Sequence, residues 1–543
     1  MIRAGIVSAA VALLAFGAAG QTVPASGSFT ISGVVRSATS GALLDRAEVT
    51  LSTAGDEQTQ VAATTTGEGG AFRFDRLAAG KYVLAASRRG YIASSYQEHE
   101  GSYSTAIVTG AGLVSEGLRF NLFPTAVIDG AITDDNGDPV AGAQVTLYRQ
   151  QQQNGQVKIE TEGAESTSDN GTYEFARLHA GIYSIGVAAT PWYAFHPPQR
   201  TAADGTVLAS DPPRSPLDVA YPMTFYANAT DSASATPVQI NPGDRQQLDL
   251  TLHAVAAVHV EILLPKPDAT HPFSEPQLEQ NVFGTEQFQP PRDLTVRSTG
   301  NLMVADLGGI APGHYSVRTF GPNGSSHSSS VDLATDQTVD LGPGNTVDLS
   351  GKLEMASGEA LPPVTMLQFN PGTGGTVSTP VATDGSFDLR AMPPGDYTVQ
   401  VNTSMGLLGI VQMAASGAEV HGHHITVAAD PVLFAAEVAR GSASVAGFAR
   451  RDGKGIGGAL VLLVPEQLQD NADLFRLDQS DSDGSFLLSR VVPGNYTLVA
   501  VENGWSLEWG RREVIAPYLP RGVKLQITSR QKTVDLSGPV EVQ

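Results

Sequence analysis

One phrase recurs along this chain and does more than any other feature to limit its fold. Asp384–Val401 reads DGSFDLRAMPPGDYTVQV, and Asp483–Val501 reads DGSFLLSRVVPGNYTLVAV. Gly70 begins GAFRFDRLAAGKYVLAA and Gly171 begins GTYEFARLHAGIYSIGV. In these four copies a second Gly lies 10 positions after the first (Gly80, Gly181, Gly395, Gly494), and a Tyr lies 12 positions after it (Tyr82, Tyr183, Tyr397, Tyr496). A fifth copy, GNLMVADLGGIAPGHYSV from Gly300, keeps the order with Gly313 and Tyr315 at spacings of 13 and 15. The leading glycines are 101, 129, 85 and 99 residues apart, which are the periods of whole domains rather than of a solenoid.

The phrase has a direct physical reading. Asp-Gly or Asn-Gly opens a tight turn because Gly adopts positive φ without steric cost. The aromatic two residues after that Gly (Phe72, Tyr173, Phe387, Phe486) starts a strand. Pro-Gly is expected to form a type II turn, with Gly in the left-handed position. The Tyr begins a second strand that alternates: Tyr397, Val399 and Val401 share a face, as do Tyr496, Leu498 and Ala500, and Tyr183, Ile185 and Val187. Each Tyr is placed to bond back to the backbone at the corner, as in the tyrosine corners of sandwiches. This alternation reads as core, against the alternative that these tyrosines bind ligand.

Each copy is preceded by a matching opening. Ile31–Ser52 (ISGVVRSATSGALLDRAEVTLS), Ile128–Arg149 (IDGAITDDNGDPVAGAQVTLYR) and Ser444–Pro465 (SVAGFARRDGKGIGGALVLLVP) are one pattern: a Gly-containing strand, a polar turn, Gly-Ala, then an alternating strand. Leu349–Phe369 is a looser version, and Val258–Pro267 opens a divergent unit. Strand–turn–strand closings follow, best seen in Thr236–Leu252 and Gly522–Leu536. Short alternating runs between turn residues, 58 Gly and 33 Pro, and 41% hydrophobic residues describe an all-β chain too apolar for disorder. We expect a tandem array of about five Ig-like, prealbumin-like β-sandwich domains of six to eight strands each. The expected spans are 28–124, 125–253, 254–346, 347–439 and 440–543. The second carries a long insertion at 191–231 rich in Pro and Ser, and the short links predict a fairly rigid rod.

The opening G-x-V-x-D-x-x-G-x-P-V-x-G-A-x-V followed by D-x-G-x-[FY]…P-G-x-Y resembles the carboxypeptidase regulatory-like domain. That domain is similar to prealbumin (transthyretin) and to Cna-B-type modules, and is grouped with starch-binding-like folds. The resemblance is clear in the first, second and fifth units and looser in the fourth and third. The whole resembles bacterial exported proteins built only of such modules. The resemblance implies a β-sandwich and an extracellular setting, and no reaction, since the regulatory domain is not the catalytic part of carboxypeptidases.

The N-terminus supports that setting. Arg3 precedes an apolar stretch from Ala4 to Phe16, and Ala18-Ala19-Gly20 offers small residues for cleavage before Gln21. Residues 1–20 read as a signal peptide, against the alternative of a membrane anchor, which wants ~20 apolar residues. No second stretch of spanning length follows, so the mature chain is expected to be exported: periplasmic, cell-surface or secreted. The formal charge of −22 argues against nucleic acid as a partner and against a polybasic membrane patch. With no cysteine, disulfides, thiolate metal sites and cysteine nucleophiles are excluded.

Catalytic and metal motifs are scarce. None of the eleven histidines has Glu three residues on, and no His-Glu-x-x-His, Gly-x-Ser-x-Gly or phosphate-binding Gly-rich loop occurs. His421, His423 and His424 form a dense cluster, but neighbouring strand positions face opposite sides, so an exposed hairpin is favoured over zinc. Asp478–Phe486 (DQSDSDGSF) resembles part of a calcium loop without its closing Glu, and Asp134–Pro139 reads as a tight turn. Cna-B modules cross-link Lys to Asn, yet the opening strands lack that Lys except for Lys352. No metal, cofactor or catalytic residue is expected.

Aromatic loops follow the Tyr strand in three units. The first holds Tyr91, Tyr96 and Tyr103; the second holds Trp192 and Tyr193, then Tyr221, Phe225 and Tyr226; the fifth holds Trp505 and Trp509. Flat rings rimmed by polar groups suit sugar stacking or a protein partner. The alternative is that they cover their own sandwich or pack between domains. Trp192, Tyr193, Tyr226, Trp505, Trp509, Tyr91 and Tyr96 are the candidate ligand residues, with a glycan the first ligand class and an envelope protein the other. The leading expectation is a non-catalytic binding or scaffold protein of the cell envelope. The second is a structural spacer or assembly subunit, and the third is a hydrolase of unrecognised type.

Overall fold

Each opening strand runs between two neighbours of opposite sense, and a glycine in it makes this possible. Gly33, Gly130, Gly351 and Gly447 lie directly across from the phrase aromatics Phe72, Tyr173, Phe387 and Phe486 in antiparallel register. The closing chain passes on the other side, parallel in the strands Leu118–Leu122 and Val432–Ala439. A Cβ on Gly351 would stand 1.9 Å from the Phe434 carbonyl oxygen, and one on Gly130 would stand 2.0 Å from that of Leu248. Only Gly admits so close a backbone. The computed structural model describes residues 27–55, 57–196, 215–266, 274–289, 293–320, 326–340, 346–371, 376–428, 431–466 and 472–543. The signal-peptide reading of 1–20 and the centre of the 191–231 insertion lie outside them.

The chain is all-β, a tandem array of two-sheet sandwiches. In the first, a three-stranded sheet (Ala71–Leu77, Phe29–Ser37, Leu118–Leu122) faces a five-stranded one built on Gln60–Thr65, Glu48–Thr53 and Gly80–Ser87. The second and fifth repeat this plan. The third pairs two four-stranded sheets. In the fourth, Gly406–Ser416 pairs with Gly395–Thr403 in one sheet and with Val432–Ala439 in the other, so its strands form one nine-stranded sheet. A register shift at Ile410–Gln412 lets that strand cross between layers.

The phrase folds much as its residues dictate. Gly385 and Gly484 have φ of 87° and 85° at their turns. All five tyrosines are buried, and each donates its hydroxyl to the carbonyl four residues earlier: Tyr82 to Ala78 at 3.1 Å, Tyr183 to His179 at 2.7 Å, Tyr315 to Ala311 at 2.8 Å, Tyr397 to Pro393 at 2.7 Å and Tyr496 to Val492 at 2.8 Å. Burial pushes the phenols of Tyr183, Tyr397 and Tyr496 up to about 12. One detail differs from the expected corner. Gly80, Gly181 and Gly494 do not adopt positive φ; Arg76, Arg177 and Arg490 do, at 59°, 60° and 56°. Two phrase residues there oppose a single opening-strand residue, so a bulge rather than a type II turn makes the bend.

The sandwiches do not string out as a rod. Contacts such as His99 with Gln479, 380 residues apart in sequence, bring the fifth sandwich onto the first, and Gly155 of the second touches Gly510 of the fifth.

Candidate functional site

The aromatic loops of the first and fifth units meet. In the fifth, Trp505 sits in a short 3-10 turn at Gly504–Ser506, followed by one helical turn at Arg512–Ile515. This segment folds over the outer face of the sheet, where Trp505, Trp509 and Ile515 join Leu460, Leu462, Val464, Phe475 and Val499 in a second core. Trp505 is 7% exposed and Trp509 2% exposed. The Trp505 indole donates to the Gly458 carbonyl at 3.2 Å. His99 of the first sandwich stacks on Trp505 at 4.9 Å with an 8° interplanar angle, and Tyr103 tilts against it at 5.1 Å. Both tryptophans are therefore spent on packing within and between domains, which leaves their ring faces closed to a ligand.

Polar contacts fix the register of this seam. Gln479, buried, donates to the Gln97 carbonyl at 2.7 Å and to Thr105 Oγ1 at 2.8 Å, while its Oε1 lies 2.8 Å from His99 Nδ1. Ser482 N–H donates to the Ala106 carbonyl at 2.9 Å, and Val108 N–H donates to Ser482 Oγ at 2.8 Å. Lys81 Nζ meets Asp481 Oδ2 at 2.5 Å. The segment that resembled a calcium loop is thus a docking turn: Asp481 serves Lys81 and the Ala106 N–H, and Asp483 accepts the Ser485 N–H at 2.9 Å. Burial raises the Asp481 carboxyl despite Lys81, and pushes Asp478 up to about 6.

The second sandwich reaches the same place through the tip of its hairpin Gln144–Gln153 and Gln156–Ser166. Gly510 N–H donates to the Gly155 carbonyl at 2.8 Å, and Gln152 donates to the Leu507 carbonyl. Gly155, at φ 68°, lies so close that a Cβ would stand 2.3 Å from Trp509. Beside this junction opens a cleft of about 940 Å³ lined by Tyr96, Glu100, Arg119, Arg149, Gln150 and His179, among others. Arg149 donates through Nη2 to the Ala180 carbonyl at 3.1 Å, and its Nε is buried with no partner among the described residues. Burial, then Arg149, holds the His179 imidazole below its usual range, and burial raises Glu100. Such a wall presents hydrogen-bond donors and acceptors to a polar ligand.

The other candidate residues lie apart. Trp192 is 89% exposed, with Tyr193 edge-on at 5.7 Å. Phe195, 59% exposed, donates its N–H to the Leu217 carbonyl at 2.8 Å, which ties two parts of the insertion together. Below them Asp218, buried, bridges His196 Nδ1 at 2.9 Å and His259 Nε2 of the third sandwich at 3.0 Å. Tyr226 is half-buried against the second core, and Tyr91 and Tyr96 against the first. The structure joins Tyr96 to the junction cleft and does not bring Trp192, Tyr193 or Tyr226 there. His423 of the histidine cluster is buried, with Ile410 O at 2.9 Å and Asp473 at 2.7 Å. No group of three or more metal-binding side chains occurs among the described residues. Lys352 pairs with Glu354 at 2.7 Å on an exposed face.

Sequence reading missed His99, Gln479, Asp481 and Gly155 as junction residues. Only Gly155 left a sign, in the Asn154-Gly155 turn of a long alternating hairpin.

Comparison with known proteins supports the module type. Residues 30–109 match the carboxypeptidase regulatory-like domain. A search of curated proteins gives no match. Among solved structures, the Streptococcal ancillary pilin is similar at 11% identity over 51% of this chain and 98% of its own, with a TM-score of 0.18. The minor pilin GBS52 of Streptococcus agalactiae is similar at 14% identity over 45% of this chain and 99% of its own, with a TM-score of 0.21. The Bacillus anthracis TIE protein is similar at 11% identity over 76% of this chain and 74% of its own, with a TM-score of 0.15. At these scores nothing about domain arrangement, partners or activity carries over.

Proposed function

We propose that this chain is a non-catalytic exported scaffold. Its aromatic loops close the array on itself, and its one fully open tryptophan docks another protein of the cell envelope. The observation that carries this reading is the contrast among the three tryptophans. Trp505 and Trp509 are buried in domain packing, whereas Trp192 stands 89% exposed, three residues before Phe195, whose N–H is bonded to the Leu217 carbonyl; Phe195 and Leu217 are 59% and 45% exposed. Large apolar side chains exposed near one another in sequence are a signature of a partner site, and Trp is a typical anchor. A single open ring is a weak platform for an extended glycan, so the assembly reading is favoured over the carbohydrate one. Export rests on the N-terminal segment, and no helix among the described residues is long and apolar enough to cross a membrane.

The test is chemical cross-linking in envelope fractions of the source cell, followed by affinity capture of the wild-type chain and of Trp192→Ala. One stoichiometric protein partner recovered by the wild type and lost from the variant is the expected result. Equal capture by both would overturn the proposal. Glycan-array binding abolished by Trp192→Ala would replace it with the carbohydrate reading.

A further inference from the structure

A second interdomain cleft, apart from the aromatic junction, carries an unusual charge pattern. It opens between the fourth and fifth sandwiches with a volume of about 830 Å³ and is lined by Arg440, Arg476 and Arg490. The chain as a whole carries a formal charge of −22, so guanidiniums have abundant acids to pair with. Among the described residues these three pair with none. Arg476 donates only to main-chain carbonyls, those of Arg490 at 2.9 Å, Asp473 at 2.8 Å and Phe475 at 2.6 Å. Arg440 reaches only the Met405 sulfur, at 3.7 Å. Arg490 is held at φ 56° by the bulge of the phrase. The one acid on the lining, Asp473, faces His423 at 2.7 Å. Burial pulls Arg476 below its usual range against the opposing pull of Tyr496 and Asp473, and the like charge of Arg490 adds a smaller push.

The lining beside Arg440 is apolar. Met405 and Leu407 project from the hairpin joining Gly395–Thr403 to Gly406–Ser416, 70% and 65% exposed. Gly409 and Val492 close the floor so tightly that a Cβ on Gly409 would stand 2.6 Å from the valine. Exposed apolar side chains beside guanidiniums that form no direct ion pair fit a molecule with an anionic head and an apolar tail.

We propose that this cleft binds an amphiphilic carboxylate, its head between Arg440 and Arg490 and its chain along Met405 and Leu407. The site is independent of the Trp192 face. Isothermal titration of the full chain with octanoate, with octanol as the neutral counterpart, tests it. Octanoate is expected to saturate one site and octanol to bind far more weakly. Arg440→Gln and Arg490→Gln should each weaken octanoate about tenfold, the effect of losing one charge-assisted hydrogen bond. Met405→Ser with Leu407→Ser should weaken it without changing the melting temperature. Methyl-labelled methionine spectra provide a second readout, in which octanoate should shift Met405. Absence of saturable octanoate binding, equal binding of octanol, or full binding by the doubly substituted Arg440→Gln, Arg490→Gln chain would overturn the proposal.

Discussion

Tyr496 and Asp478 show how burial fixes the character of single residues in this fold. The Tyr496 ring fills the core while its hydroxyl satisfies the Val492 carbonyl at the corner, so one side chain sets both packing and the turn between sheets. Asp478 sits where the fifth sandwich meets the first, and its carboxylate accepts the N–H of Leu487 at 2.7 Å and of Gln479 at 2.8 Å. These bonds favour the charged form, but burial outweighs them and the carboxyl is pushed up to about 6. The folded chain therefore holds this proton more tightly than the unfolded chain, whose Asp titrates near ~3.9. Between those two values the group contributes stability that is lost as pH rises, on the order of 3 kcal/mol in all. Carbon-13 titration of the Asp478 carboxyl should give a midpoint near 6. A midpoint near the ordinary Asp value would mean that the docking turn is open to water.

At the level of strands and turns, the sequence disclosed most of what the structure contains. The five phrases, the tyrosine corners and the alternation of Tyr183, Ile185 and Val187 follow from local periodicity, because a strand repeats every two residues whatever lies beyond it. The bulge at Arg76, Arg177 and Arg490 was not legible, since Arg has no intrinsic preference for positive φ and the conformation is imposed by two sheets meeting. The hairpin tip at Gly155 was legible only as a turn; its role in seating Trp509 depends on a surface elsewhere in the chain. Gly155→Val should undock the second sandwich from the fifth and expose Trp509 to acrylamide quenching. Gly137→Val provides the control, because Gly137 also has positive φ, at 81°, but nothing lies within 4 Å of its Cβ position. Equal quenching in the two variants would show that strain in a turn, not contact with Trp509, is responsible.

Across the whole molecule, domain number and type are written in the repeat, while domain arrangement is not. Contacts such as Gln97 with Gln479 join positions that share no local pattern, so the expected rod gives way to an array in which the fifth sandwich seats on the first and second. The aromatic loops that looked like ligand platforms supply that seam, with Trp505 between His99 and the fifth core. The exposed Trp192 and the clefts between sandwiches lie away from that seam's buried rings. The first and fifth sandwiches are docked, and Lys81 and Asp481 report on that contact directly. Their nitrogen and oxygen are 2.5 Å apart, close enough for zero-length carbodiimide coupling of the unmodified chain. Peptide mass spectrometry of the monomer band, at dilute protein, should identify an amide joining Lys81 to Asp481, and Trp505→Ala should reduce it. A monomer band that lacks this link, while nearby pairs such as Lys352 and Glu354 are coupled, would contradict the docked arrangement.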